Sequence, residues 1–307
     1  MSEARVFFGV VVPYAALLTF LAGVTFRVLR WARSPVPFRI PVTCGQQKSL
    51  PWIESSRLES PFTGWAAACR VALEVLAFRS LWRNQQAERG GARLVYEPSR
   101  LLWLAAIVFH WSLLIILARH LRLVLNPVPK AIAGLMSLDA FFQVGMPVLY
   151  ATDVAIVAAL LYLAGRRIVN PRVRYLSLFP DYAVLVLLLA VAGSGILLRY
   201  FLRTDIASVK QYALSLAAFS PRPPAGAGAL FYAHLSLASL LVAWFPFSKL
   251  VHMGGIFLSP TRNLANSSRA QRHVNPWNHS LPVHTYEEWE TEFREKIRAA
   301  GLPLEKE

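Results

Sequence analysis

Long uncharged runs of apolar residues, most of them ended by arginine or proline, dominate the pattern of the chain. About 20 mainly apolar residues are needed to cross the hydrocarbon core of a bilayer as a helix. By this measure the sequence predicts five membrane-spanning helices, at residues 6–28, 101–125, 140–165, 181–202 and 230–258. The first run has no small-residue cleavage pattern after it, so we expect a retained helix rather than a signal peptide. Pro246 lies inside the last run and predicts a kink there.

A further apolar segment, residues 62–84, has a different pattern. It is short and contains Arg70 and Glu74, which lie four residues apart on one helical face, the spacing of a surface ion pair. Several arginines follow at once. An amphipathic helix lying in the membrane interface explains this composition better than a further span, which is the alternative.

The chain after residue 259 is polar and predicts a soluble tail, residues 260–307. Thr285 and Glu288 have the spacing of a capping box, and Gly301 and Pro303 are stop signals for the helix that would follow. We therefore expect an all-α integral membrane protein. A five-helix transmembrane domain, residues 1–259, with its interfacial helix, precedes the cytoplasmic tail.

Composition and charge support this fold class. Of the 307 residues, 55% are hydrophobic and only 16% are charged, against about 25% charged residues in soluble domains. The net charge of +15 does not indicate nucleic-acid binding, because lysines and arginines flank apolar runs instead of forming a stripe. Most of the flanking positive charge lies at residues 27–100 and 166–174. The positive-inside rule then places the N-terminus outside the cytoplasmic membrane and the C-terminus in the cytoplasm.

Four of the seven histidines lie in two predicted spans, His110 and His120 in the second and His234 and His252 in the fifth. Ionisable residues in a membrane are costly and face the bundle interior, and neutral imidazole is a common ligand of haem iron. An interhelical hydrogen bond explains one such histidine, but it explains two pairs poorly. If the two spans are antiparallel neighbours, His110 faces His252 near the cytoplasm and His120 faces His234 near the outer face. Each pair could then bind one haem from both axial sides.

The spacing of these histidines does not fit straight helices. At 1.5 Å per residue, the two in the second span lie about 15 Å apart and the two in the fifth about 27 Å apart. Helix tilt and the kink at Pro246 have to absorb the difference.

This histidine spacing resembles the gamma subunit of respiratory nitrate reductase, a family of five-helix, N-outside di-haem cytochromes b that oxidise quinol. Three further stretches, residues 78–84, 245–252 and 272–278, resemble the DsrM family, the cytochrome b subunits of the DsrMKJOP complex of dissimilatory sulfur metabolism. The resemblance implies two haem b groups, menaquinone as redox substrate, and a cytoplasmic iron–sulfur partner similar to DsrK. The chain would then be the electron-transfer subunit of a quinol-linked oxidoreductase complex. The membrane subunit of a heterodisulfide reductase and a haem-free membrane anchor are the alternatives.

Quinol oxidation needs a proton acceptor and a hydrogen-bond donor near the outer haem. The candidates beside His120 are Arg119, Arg122, Lys130 and Asp139. For any single one of them, ordinary interfacial snorkelling is the alternative. Asp153, inside the third predicted span, has a functional role as a proton relay or a partner to a polar group between helices, or it simply forms a hydrogen bond to a hydroxyl of a neighbouring helix.

Overall fold

The structure, a computed structural model, describes residues 3–33, 57–83, 85–90, 93–140, 148–202, 204–224, 226–259, 263, 265 and 283–305. Most of these residues are helical. The helices are α1 (Glu3–Ala32), α2 (Gly64–Ala77), α3 (Arg79–Trp82), α4 (Arg100–His120), α5 (Lys130–Asp139), α6 (Ala151–Val169), α7 (Pro171–Leu176), α8 (Phe179–Ile196), α9 (Ile206–Ala217), α10 (Ala229–Trp244), α11 (His252–Gly255) and α12 (Tyr286–Ala299).

Four helices of the described part are long and apolar enough to cross a membrane. They are Glu3–Ala32, Arg100–Leu123, Phe179–Phe201 and Ala229–Phe247. Their outward faces expose large apolar side chains, such as Leu18 at 70% and Val186 at 65%, as expected for helices that face lipid. The remaining predicted span, residues 140–165, corresponds to α6, which begins later, and residues 141–147 lie outside the described part. Helix α6 has 19 residues but carries three charges and is not among the four.

The helices that position the histidines pack side by side in a regular order. Helix α4 packs on α6, α6 on α8, α8 on α10, and α10 on α1. The core between α4, α6 and α8 is built on Phe109, Ile156, Leu160 and Leu188, and Leu160 is completely buried. The main helical contacts of α4 and α10 are therefore with other helices.

Helix α1 approaches the last span closely because two of its residues are glycines. A Cβ atom added to Gly23 would lie 2.7 Å from Cβ of Pro246, and one added to Gly9 would lie 3.3 Å from Cε1 of Tyr232. Arg27 of the same helix donates from Nε to the carbonyl of Pro246 at 2.9 Å. Contacts from α1 therefore hold the chain at Pro246.

Alanine at position 23 is expected to destabilise the protein by about 1–3 kcal/mol, because the added methyl group overpacks against the proline ring. Gly165→Ala is the matched control, since a Cβ added there meets nothing within 4 Å and alanine favours the helix. Thermal unfolding in detergent measures both variants. Equal midpoints would contradict the close contact between α1 and the segment at Pro246.

The last predicted span, residues 230–258, is not one continuous helix, and the kink expected at Pro246 is a complete break. Helix α10 ends at Trp244, a 3₁₀ turn covers Phe245–Phe247, and Ser248 is extended with φ −110° and ψ 174°. Proline lacks the N–H that would continue the helical ladder. The Ser248 hydroxyl accepts from the Leu250 amide at 3.2 Å and starts a new turn. His252 therefore lies on a separate short segment.

The predicted interfacial helix, residues 62–84, forms two helices rather than one, and residue 84 lies outside the described part. Phe78, with φ 48° and ψ 48°, separates α2 from α3. The carboxylate of Glu74 accepts from the amide and hydroxyl of Ser80, at 3.0 and 2.9 Å, across the break. Trp103 and Trp111 of α4 donate to the carbonyls at the end of α2, at 2.8 and 3.1 Å. Helix α2 is therefore held against α4; its place in the interface stays a prediction.

The expectation of an all-α chain missed a small β-hairpin. Strands β1 (Gln85–Gly90) and β2 (Arg93–Pro98) pair in antiparallel register, with Gln85 opposite Pro98. The sequence signal was Gly90–Gly91, a turn dipeptide, but the flanking residues do not alternate between apolar and polar. The short helices α5 and α9 were not predicted either.

Side-chain caps stabilise the N-termini of two helices, one in a connecting segment and one in the tail. Asp205 caps the N-terminus of α9, and its carboxylate accepts from the amides of Ala207 and Ser208, at 3.0 and 3.2 Å. The Ser208 hydroxyl, and then these amides, lower the pKa of Asp205. In the tail, the predicted capping box is present, with Thr285 and Glu288 bonded to each other's amides at 3.2 and 2.9 Å.

Candidate functional site

His110 of α4, which is half-buried, and His252 of α11, which is exposed, face each other. Their ring centroids lie 5.9 Å apart, with the ring planes at 82°. Nδ1 of His110 donates to the Ala106 carbonyl at 2.7 Å, and Nδ1 of His252 donates to the Lys249 carbonyl at 2.6 Å. Because Nδ1 carries the proton in each neutral ring, the lone pair of Nε2 is available to a metal ion.

His120 and His234 form the second pair, and they lie within electrostatic range of each other. Nδ1 of His120 donates to the Ile116 carbonyl at 2.7 Å. Nδ1 of His234 meets the Ser194 hydroxyl at 2.8 Å, and that hydroxyl itself donates to the Ala190 carbonyl at 2.7 Å. Ser194 therefore accepts from His234, which again leaves Nε2 as the ligand atom. Next to Ser194, a Cβ added to Gly195 would lie 3.2 Å from the His234 ring.

The separation of His110 and His252 fits two histidines that would hold one haem iron between them. When two imidazoles hold one metal ion, each metal–nitrogen bond is about 2 Å long, and adding the distance from each nitrogen to its ring centre places the two ring centres about 6 Å apart. The ring centres of His110 and His252 are 5.9 Å apart. Metal-ligating histidines almost always donate their other ring N–H to a protein acceptor. All four histidines do so here.

Aromatic residues that sequence reasoning missed surround His110. The rings of Phe78 and Phe109 lie 4.8 and 4.9 Å from it. Phe78 has a positive φ of 48°, which is uncommon outside glycine and is often found at functional sites. The only signal in the sequence was that Phe78 opens the stretch 78–84.

An ion pair positions the segment that carries His252. Nζ of Lys249 lies 2.7 Å from Oδ1 of Asp181, while Oδ2 of Asp181 accepts from the Leu178 amide at 3.0 Å. Asp181 is buried, whereas the Lys249 side chain is 76% exposed. The pair ties the start of α8 to the chain just before His252.

A group of charged residues lies beside His120, and we call Arg119, Asp139, Asp153 and Arg199 the outer ion cluster. The first three are buried, and Arg199 is half-buried. Arg119 bridges both carboxylates, with Nη1 3.2 Å from Asp139 and Nη2 hydrogen-bonded to Asp153. Asp139 also accepts from the amide and hydroxyl of Thr152, at 3.0 and 2.7 Å, in the first turn of α6. Asp139 therefore ties α5 and α4 to the start of α6.

Asp153 is fixed by partners on two neighbouring helices. Besides Arg119, the Tyr200 hydroxyl donates to it at 2.8 Å. Asp153 is only 8% exposed. The hydrogen bond to a hydroxyl of a neighbouring helix, one of the alternatives for Asp153, is therefore present together with an ion pair. A role as proton relay stays a prediction.

A π-helical turn, Leu197–Phe201, follows directly after α8. It brings the adjacent residues Arg199 and Tyr200 to the same cluster. The guanidiniums of Arg119 and Arg199 lie 3.8 and 4.1 Å from the centre of the Tyr150 ring. The Tyr150 amide donates to the Tyr200 hydroxyl at 3.0 Å. Such π turns are frequent at functional sites. Sequence reasoning did not single out Arg199, Tyr150 or Tyr200, although Arg199 interrupts a long apolar run.

The structure brings together only part of the quinone-site set. Arg119 and Asp139 share the outer ion cluster. Arg122 lies in the 3₁₀ turn Leu121–Leu123, where it interacts electrostatically with His120. Lys130 is exposed at the first residue of α5.

Comparison with known proteins gives consistent matches. Residues 64–272 match the family model described as the nitrate reductase gamma subunit, a range that contains all four histidines. An Archaeoglobus fulgidus protein, "Hdr-like menaquinol oxidoreductase cytochrome b-like subunit", is 47% identical over 89% of this chain and 83% of its own length. The Archaeoglobus profundus protein of the same name is 40% identical over 98% of this chain and 90% of its own length.

Proposed function

The chain belongs to the family of the nitrate reductase gamma subunit, and from this premise we propose that it is a membrane di-haem cytochrome b. It transfers electrons between menaquinol near the outer face and a cytoplasmic iron–sulfur subunit. The four histidines carry the proposal: His110 and His252 face each other, and His120 and His234 lie within electrostatic range of each other. The names of the two relatives, which combine menaquinol oxidoreductase with cytochrome b, support it.

Each histidine pair has a defined role in this proposal. His110 and His252 hold the inner haem, and His120 and His234 hold the outer one. Bound haem would supply reversible one-electron chemistry, and with two histidines holding it, oxygen or substrate would find no free ligand position on the iron. The Nδ1 hydrogen bonds keep each ring in place during electron transfer. Since His110 and His120 lie about 15 Å apart along one helix, the two sites span much of the membrane.

We propose that α6 also crosses the membrane, in addition to the four long apolar helices, which gives a five-span topology. The pairing of Asp153 with Arg119 supports this, because it neutralises the charge that α6 would bring into the membrane. Arg166 and Arg167 lie at the opposite end of α6, as expected at a cytoplasmic boundary. The N-terminus is then outside, residues 1–259 form the membrane domain, and residues 260–307 form the cytoplasmic tail.

We place quinol oxidation at the outer face beside His120, with Arg119, Arg122, Lys130 and Asp139 as the surrounding polar residues. Asp139 and Arg119 are held by other protein groups, so their part is to shape and charge the site. Arg122, which is close enough to act on His120, and the exposed Lys130 are better placed to meet a quinol oxygen.

The proposed partner is a DsrK-like iron–sulfur subunit of a DsrMKJOP-type complex in dissimilatory sulfur metabolism. Support comes from the sequences of residues 78–84 and 245–252; residues 272–278 lie outside the described part of the chain. The term "Hdr-like" in the relatives' names favours a heterodisulfide-reductase-type partner as the second candidate. Both candidates require the same histidine pairs.

A reduced-minus-oxidised visible spectrum, with haem quantified per chain, tests the proposal. We expect two b haems in the purified wild-type protein and about one in His120→Ala, because an outer haem with one axial ligand is lost. His284→Ala, in the exposed start of the tail segment, is the matched control and should keep both. A colourless protein from cells with adequate haem would leave only the membrane-anchor alternative.

A further inference from the structure

The outer ion cluster is balanced in charge, with two guanidiniums and two carboxylates. Arg119 directly precedes His120, and the charges that interact with the His120 ring are Arg119, Arg122 and Asp153. The carboxylate of Asp139 pairs with Arg119 as well, but it also accepts from the amide and hydroxyl of Thr152 in the first turn of α6 and is not among the charges acting on His120. Asp153 is therefore the anion that offsets Arg119 at His120.

The field of Asp153 acts with little screening. Its side chain is 10% exposed and that of Arg119 is 8% exposed, and charges interact more strongly in such surroundings than in water. The Arg119 guanidinium and the Tyr200 hydroxyl hold the carboxylate in one position. A fixed, buried negative charge beside an axial histidine shifts the free energy of any electron placed on the bound iron.

We propose that Asp153 lowers the reduction potential of the haem held by His120 and His234, an inference that rests on the proposed function. Reduction of ferric to ferrous iron adds one electron and therefore one negative charge. A nearby carboxylate opposes this change, and a nearby guanidinium favours it. By offsetting Arg119, Asp153 makes the outer haem release its electron more readily toward the inner pair. Asp153 is a positioning residue in this sense, because it acts through the field at His120.

Among the described residues, no ion pair beside His110 and His252 is as buried as that of Arg119 and Asp153. Its neighbouring ion pair joins Asp181 to Lys249, and the Lys249 side chain is 76% exposed. Solvent screens such a charge, so it changes its surroundings little. The two sites are therefore expected to respond differently when a carboxylate is neutralised.

Potentiometric titration of the visible spectrum tests the proposal in the haem-loaded full chain. Asp153→Asn should raise the potential of the outer haem and leave that of the inner haem unchanged. A unit charge at about 10 Å with an effective dielectric of about 20 changes an equilibrium roughly tenfold. A tenfold higher ratio of reduced to oxidised outer haem corresponds to about 59 mV for one electron. The haem missing from His120→Ala identifies the outer component.

Two matched variants separate the field of Asp153 from a general disturbance. Asp139→Asn removes an equal charge from the same arginine, but Asp139 is not among the charges that act on His120, so the outer potential should shift much less. The double variant Arg119→Gln with Asp153→Asn restores a neutral cluster and should return the potential toward the wild-type value. An unchanged potential in Asp153→Asn, an equal shift in Asp139→Asn, or no return in the double variant would each overturn the proposal.

A further variant keeps the test valid if Asp153→Asn fails to retain haem. Tyr200→Phe removes the hydroxyl that donates to Asp153 and leaves the carboxylate charge less compensated, so the outer potential should fall. No change there would count against the proposal. Absence of two haems from the wild-type protein would instead refute the proposed function, so the two failures are distinguishable.

Discussion

Replacing His252 by alanine is expected to slow electron delivery from menaquinol to a cytoplasmic acceptor by about 100-fold or more. Changes to groups that merely support a metal ligand cost 10–100-fold in metal affinity or activity, and this substitution removes the ligand itself. His252 lies 5.9 Å from His110, ring centre to ring centre, and its loss leaves one axial ligand at the inner site. Stopped-flow absorbance with a menaquinol analogue and a soluble acceptor measures the rate.

The same variant should still show rapid reduction of the remaining b haem by the quinol analogue, because His120 and His234 are untouched. Arrest after that first reduction is what distinguishes an inner-site defect from loss of the quinol site. His284→Ala again provides the control. If His252→Ala keeps two haems and full transfer, His252 is not an axial ligand, and the inner pair has to be assigned anew.

The histidine pairs could be found in the sequence because ionisable residues are rare in apolar spans, so each one demands an explanation. Their spacing alone did not settle the geometry, since ten and eighteen residues along straight helices do not match. The fifth predicted span is not a straight helix, because extended backbone at Ser248 ends the run begun by α10. Pro246 signalled the interruption, but the direction of the chain after it depends on Arg27 and Lys249, which bind partners far away in sequence.

Other parts of the site depend on contacts between residues that are distant in sequence, and no local sequence pattern indicates such contacts. Ser194 lies 40 positions before His234, and Asp153 lies 34 positions after Arg119. Nothing in the local pattern around these residues indicates their partners. The capping box at Thr285 was predictable for the opposite reason, because both of its bonds lie within four residues.

The outer ion cluster also makes a prediction about stability. Arg119→Ala is expected to destabilise the protein by about 3–5 kcal/mol, the usual cost of removing one partner from a buried ion pair. Its side chain is 8% exposed, and it compensates Asp139 and Asp153 together. Unfolding by denaturing detergent, followed by circular dichroism, measures the change. Arg122→Ala is the matched control on the adjoining turn and should cost less than about 1 kcal/mol.

A double-mutant cycle shows whether the uncompensated carboxylates cause that loss. Combining Arg119→Ala with Asp153→Asn removes one of the two buried charges that the arginine leaves behind. If electrostatics dominate, the double variant is more stable than Arg119→Ala alone, although it carries one more substitution. If the loss came only from the packing of Arg119 on the Tyr150 ring, at 3.8 Å, the second substitution would bring no recovery. Because charge drives both effects, the stability cycle and the haem titration should agree on the coupling between Arg119 and Asp153.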